Sequence, residues 1–227
     1  MFELRNASFS YDGETPTLRA LNFMIGRGES VAITGDNGCG KTTLLRALNG
    51  LLAPIAGEYL FDGARIDKKA LANASFAKTF HRRVGFVFQN ADAQLFCGSV
   101  EDEIAFGPRQ LDLEESESRR RVDDCLSLMG IEALRYRAPY ALSGGEKRKA
   151  AFAAVLALNP DALVMDEPLE NLDASGRALV LDLCRSLKAA GKTLIFATHN
   201  ESFVAEIADR RIRLARGEVV GIENVGR

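Results

Sequence analysis

Several separate groups of chemically competent residues lie along this chain. The densest is Gly35-Asp36-Asn37-Gly38-Cys39-Gly40-Lys41-Thr42, followed by Thr43. It fits G-x-x-x-x-G-K-[ST], a phosphate-binding loop. Its glycines let the backbone turn tightly, so that successive N–H groups point at one spot. A helix starting there adds a partial positive charge. In this pattern Lys41 reaches the β- and γ-phosphates and the Thr42 hydroxyl binds Mg²⁺. Cys39 lies at the same helix start, where a thiol is activated. It is expected to alkylate without nucleotide and to be protected by MgATP.

Further acids and polar groups stand where buried strands end. Asp161 to Met165 is apolar and closes on Asp166-Glu167. Two carboxylates in that position cost desolvation unless a cation is near. Asp166 is expected to hold Mg²⁺, and Glu167 to polarise the attacking water. Gln89 ends the strand-like run Val84-Gly85-Phe86-Val87-Phe88, and His199 follows Lys192 to Ala197. Parallel sheets place ligands at the C-terminal ends of strands. Gln89 is therefore a candidate ligand to Mg²⁺ or the attacking water, and His199 a γ-phosphate contact. Leu142-Ser143-Gly144-Gly145-Glu146 reads as a capping box, and equally as an exposed anion site at a helix start. A second such site, in a domain that already has a phosphate loop, suggests a surface that reaches a nucleotide held by another copy. Tyr11 stands at the first turn. It is either an ordinary turn tyrosine or a ring that stacks on adenine.

The elements that must position these groups are readable in outline. Residues 2–10, 18–25, 30–34, 57–63, 84–88 and 192–197 read as strands, as do 211–214 and 218–222 near the end. Helices are expected over 43–48, over 99–106 with Gly107-Pro108 closing it, over 114–129 with Gly130 as its cap, over 147–158, and over 174–190 with Asp173 as N-cap. Residues 64–83 are basic and weakly periodic and carry no assignment.

The 227 residues leave room for one large domain or one domain with an inserted lobe. A net charge of −2 argues against a general polyanion binder, so no nucleic-acid partner is expected. The run Arg119-Arg120-Arg121 is offset by acidic neighbours. The first residues lack the order of a signal peptide, and the longest apolar run, Ala150 to Leu158, is too short to span a bilayer. The four cysteines show no C-x-x-C pairing, so disulfides and zinc are not expected and a reducing cytosol fits.

Taken in order, the phosphate loop, Gln89, Leu142 to Glu146, Asp166-Glu167 and His199 resemble the ATPase subunit of ATP-binding-cassette (ABC) transporters, from about residue 2 to about residue 222. The resemblance implies an α/β P-loop NTPase fold: a mostly parallel sheet core, an antiparallel β subdomain and an inserted helical subdomain at about 90–155, with residues 1–227 one domain. It implies adenine stacking by Tyr11, Walker A contacts from Lys41 and Thr42, a Q-loop role for Gln89, Walker B roles for Asp166 and Glu167, and a switch role for His199. Ser143, Gly144 and Gly145 would meet ATP in the opposite subunit, so two subunits, identical or paralogous, sandwich two ATP. Asp173 is retained from the family's pattern, but Leu169-Glu170-Asn171 stand where a threonine, a small residue and a glycine are common.

Gln89 to Phe96, Val100 and Ala105-Phe106-Gly107-Pro108 are similar to the energy-coupling-factor branch, which powers uptake of cobalt, nickel, biotin and other vitamins. Ala91 stands where that branch usually has proline. The branch implies a transmembrane coupling subunit, a substrate-binding membrane subunit and a peripheral position on the cytoplasmic face of the membrane. Many members carry a C-terminal extension that holds the dimer. This chain ends too soon for a sizeable one, so a weak dimer without ATP is expected. The alternative, a soluble ATP-gated clamp on nucleic acid or ribosomes, is disfavoured by the lack of a long heptad insertion and of a basic face.

Overall fold

The computed structural model describes residues 1–226. Strands β1 (Phe2–Phe9) and β2 (Leu18–Ile25) pair antiparallel. Next come β3 (Ser30–Thr34), α1 (Lys41–Leu48), β4 (Pro54–Phe61) and β5 (Ala64–Arg65). The stretch without an assignment holds β5 and two helices, α2 (Lys68–Ala72) and α3 (Ala74–Arg83). Asp67 and Asn73 cap these helices by accepting from Ala70 N and Phe76 N. β6 (Val84–Val87) leads to α4 (Val100–Gln110), α5 (Glu115–Met129) and α6 (Gly144–Leu156). The chain then alternates through β7 (Ala162–Asp166), α7 (Ala174–Ala189), β8 (Thr193–Ala197) and α8 (Glu201–Ile207), and closes with β9 (Arg210–Ala215) and β10 (Glu218–Asn224).

The strands form two sheets. One is antiparallel, in the order β2-β1-β4-β5. The other has the order β10-β9-β3-β8-β7-β6 and is parallel from β9 to β6, with β10 antiparallel at its edge. β3, β7 and β8 are buried along their whole length, which is why they read as unbroken apolar runs. Their alternating side chains divide the interior. Val31, Ile33, Val164 and Ile195 pack with α1 and the antiparallel sheet. Ala32, Leu163, Met165 and Phe196 pack with the helical side, including Ile104, Leu126 and Phe152. α4, α5 and α6 pack on one another there. Among the described residues no helix is long and apolar enough to cross a membrane.

Helix boundaries differ most from expectation at α6, which covers Gly144–Leu156 rather than 147–158, and at α4. α4 does not stop at Gly107-Pro108 but runs to Gln110. Pro108 falls in its last turn, and the turn is closed beyond it by Leu111 N donating to Gly107 O and Pro108 O, each at 3.1 Å. Gly107 is a packing residue: a Cβ there would lie 2.6 Å from Leu158 Cδ2.

The β9–β10 turn supports the phosphate loop from behind. Gly217 N donates to Cys39 O at 2.9 Å, and Arg19 N donates to Gly217 O at 2.8 Å. Gly217 has φ +80°, and a Cβ there would sit 2.1 Å from Thr17 O. Gly217→Ala is therefore expected to cost about 2 kcal/mol, lowering Tm by roughly 5 °C, and to weaken nucleotide binding by loosening the loop. Thermal melts and equilibrium ATP binding measure both.

Candidate active site

The exits of β3, β8, β7 and β6 stand side by side, because that is their order in the sheet. They deliver in turn the glycine loop, Thr198-His199, Asp166-Glu167 and Gln89. These groups line one cleft of about 780 Å³ with Asn37, Gly38, Gly40, Lys41, Thr42 and Thr43. Thr17, Leu169, Glu170, Arg177, Thr198 and Asn200 complete the wall.

The loop takes its shape from Gly35 (φ +140°), Gly38 (φ +77°) and Gly40 (φ +110°), a left-handed series that L side chains resist. Lys41 Nζ spans the loop, donating to Gly35 O at 2.7 Å and Asp36 O at 3.0 Å. Cys39 departs from expectation. Its side chain is only 6% exposed and packs in the core with Leu44 and Leu214, outside the cleft lining. Only its backbone can face a phosphate, and the expected accessible thiol is not found.

Thr42 Oγ1 donates to Asp166 Oδ2 at 2.7 Å. Burial pushes the Asp166 carboxyl up from its ordinary range, while Thr42, Arg148, Arg46 and Lys41 pull the other way. A buried carboxylate beside a hydroxyl offers the oxygen ligands of a hard divalent cation. Among the described residues no group of three or more His, Cys, Asp or Glu could hold a metal. A cation at Thr42 and Asp166 would therefore draw its other ligands from Gln89, phosphate and water.

Glu167 has φ +45°, an uncommon conformation for a residue with a Cβ. Three contacts fix it. Its N–H donates to Ala197 O at 2.9 Å, Thr198 Oγ1 donates to its Oε2 at 3.0 Å, and Arg148 Nη2 donates to its carbonyl at 2.7 Å. His199 Nε2 lies 3.6 Å from Glu167 Oε1. The site thus sets an aimed carboxylate beside an imidazole at the mouth of the phosphate loop.

Arg148 is the residue that sequence reasoning missed. It is 1% exposed. Its Nη1 donates to the carbonyls of Phe88 and Gln89, and its Nη2 to those of Asp166 and Glu167, both at 2.7 Å. Burial pulls its guanidinium down to about 10, with Glu170, Asp166 and Glu167 holding it up, so it stays charged at neutral pH. The available signal was its spacing: Arg148, Phe152 and Val155 share the buried face of α6.

Ser143, Gly144, Gly145 and Asp173 lie outside the cleft lining. Ser143 Oγ accepts from Glu146 N at 3.3 Å, and Glu146 Oε2 accepts from Ser143 N at 2.7 Å, a full capping box. This leaves the Gly144 and Gly145 N–H groups at the helix start for an anion. Asp173 caps α7 by accepting from Gly176 N at 2.7 Å. Asn171 has φ +60°, a conformation that asparagine, like glycine, tolerates. Its carbonyl lies 3.2 Å from where a Cβ on Gly145 would be. Tyr11 also stands outside the lining, 55% exposed, with its hydroxyl 3.3 Å from Thr43 Oγ1.

Residues 18–170 match the family model described as ABC transporter. The chain is 45% identical to the nickel import ATP-binding protein LarO of Lactiplantibacillus plantarum, over 93% of this chain and 88% of that one. It is 40% identical to the energy-coupling factor transporter ATP-binding protein EcfA of Methanothermobacter thermautotrophicus, over 97% and 70%. The structure of CbiO1 from Clostridium perfringens, part of the ABC transporter complex CbiONQ, superposes with a TM-score of 0.84 at 35% identity, covering 99% of this chain and 88% of that one.

Two outcomes are expected from this geometry. Arg148→Met strands four carbonyls and should cost at least about 3 kcal/mol, a fall in Tm of roughly 10 °C, with turnover lost. Asp166→Asn acts in the opposite direction on stability. A carboxyl whose folded pKa is raised loses stability as pH rises through its unfolded value, near 3.9. In metal-free buffer the asparagine variant should melt above the parent at pH 7 and lose that advantage below about pH 3.5. It should also fail to bind nucleotide in the Mg²⁺-dependent manner of the parent.

Proposed function

Since the chain belongs to the ATP-binding subunits of ABC transporters, we propose that it is the ATP-hydrolysing motor of an energy-coupling-factor importer. The observation that carries this reading is the convergence of the phosphate loop, the Thr42–Asp166 pair, Glu167 and His199 in one cleft. In it the loop from Asn37 to Thr43 binds the phosphates of ATP, with Lys41 on the β- and γ-phosphates. Thr42, Asp166 and Gln89 hold Mg²⁺, which supplies charge neutralisation on the phosphates. Glu167 accepts the proton of the attacking water, and His199 contacts the γ-phosphate. Tyr11 stacks on the adenine.

Ser143, Gly144 and Gly145 stand outside the cleft, with two helix N–H groups left for an anion. That supports an assembly in which each subunit reaches the ATP held by a second ATPase subunit, identical or paralogous. Asp173 lies at the same junction. The whole chain, 1–227, acts as one nucleotide-binding domain. Its helical part at about 90–155 meets a transmembrane coupling subunit at the inner face of the cell membrane, and a substrate-binding membrane subunit completes the complex. ATP closes the pair of motors and hydrolysis reopens it. The cargo reading is a transition-metal ion, nickel or cobalt, supported by the likeness to a nickel-import ATPase and to CbiO1.

Glu167→Gln should retain MgATP binding and lose turnover by roughly 10²–10⁴-fold, the usual weight of a general base; near-normal turnover would remove Glu167 from that role. The chain captured from solubilised native membranes should bring a small transmembrane coupling protein and a substrate-binding membrane protein. Cells carrying only the Glu167→Gln form should lose nickel or cobalt uptake. Capture of a conventional permease pair would overturn the energy-coupling reading, and unchanged metal uptake would overturn the cargo.

A further inference from the structure

Tyr11 sits in the loop between β1 and β2, and that loop is braced beside it. Asp12 Oδ1 accepts from Glu14 N and Thr15 N, each at 2.8 Å, and from the Ser10 hydroxyl. These contacts fix the backbone but leave the phenol ring standing in solvent. The ring is held instead by its hydroxyl. Arg46 Nη1 donates to Tyr11 Oη at 3.2 Å, and Thr43 Oγ1 lies 3.3 Å from the same oxygen. Arginine can only donate, so the phenol oxygen is the acceptor and its own proton is free to point at Thr43. Thr43 is buried.

Both tethers come from α1, the helix whose first residues cradle phosphate. Thr43 is next to Thr42, and Arg46 lies one turn further on the same face. One rigid element therefore carries the phosphate-binding groups at its start and the clamp on the aromatic ring along its side. We infer that Arg46 is a positioning residue for the nucleobase: with Thr43 it pins the Tyr11 hydroxyl to α1 and so fixes the distance between the stacking ring and the phosphate loop. The inference rests on the reading of Tyr11 as the adenine platform. It assigns Arg46 no contact with phosphate.

The test compares binding of MgATP with binding of magnesium tripolyphosphate, which has the phosphates and no base, using the full chain. Arg46→Met should raise the Kd and KM for ATP by roughly 3- to 10-fold, the weight of one exposed charged hydrogen bond, with kcat within about twofold. Its tripolyphosphate affinity should equal the parent's. Arg46→Lys, which keeps a donor, should recover most of the ATP affinity. Tyr11→Phe should match Arg46→Met, and the double variant should be no worse than either. Equal losses for ATP and tripolyphosphate would make Arg46 a phosphate ligand and overturn the inference. So would an Arg46→Met effect that persists undiminished in the Tyr11→Phe background. Tyr11→Ala separates the two levels. If it weakens ATP while Arg46→Met does not, only the role of Arg46 fails. If Tyr11→Ala binds ATP like the parent, the adenine reading falls with it.

Discussion

The buried guanidinium of Arg148 is the constraint on which the active end of the sheet depends. Carbonyls at strand exits have no partner in the sheet, and here four of them would lie in a desolvated place. Arg148 reaches all four from α6. Its planar fork assigns one nitrogen to the exit of β6 and the other to the exit of β7, so the spacing of Gln89 from Asp166 and Glu167 is set by a rigid group. A lysine would bring charge without that geometry. The same helix is capped by Ser143, so its start outside the cleft lining and the carboxylates inside it are joined through one side chain.

Much of this was legible because the pattern lies in spacing. The phosphate loop, the acids after β7 and the histidine after β8 each follow a short buried run, and the sheet order sets them beside one another. The central strands were legible because burial on both faces leaves no polar position to confuse them. What failed had a physical reason in each case. Arg148 lies in Lys147-Arg148-Lys149, which reads as a solvated face unless its register with Phe152 and Val155 is followed. Cys39 occupies a position where only the backbone serves the site, and the side chain turned inward to Leu44 and Leu214. Gly107-Pro108 looks like a terminus, yet proline in a last turn costs little and the glycine is needed by Leu158.

The loop from Pro168 to Asp173 shows how a changed sequence can keep a backbone. Leu169 and Glu170 are bulkier than the small residues common there, and both line the cleft. Asn171 nevertheless takes the left-handed turn that a glycine would take, so Leu172 still packs under Gly176 and Asp173 still caps α7. The added carboxylate of Glu170 enters the electrostatics instead, where it is the largest of the charges that hold Arg148 protonated.

The turn at Gly217 has a consequence for how the molecule is made. Its N–H completes the bonding of Cys39, and Leu214 O lies against Gly35, so the early phosphate loop is finished by a late hairpin. Roughly 170 residues separate α1 from β9. A ribosome adding about 5–20 residues per second needs about 10–35 seconds to cross that interval. For that time a nascent chain carries the whole phosphate-binding pattern without the hairpin that backs it.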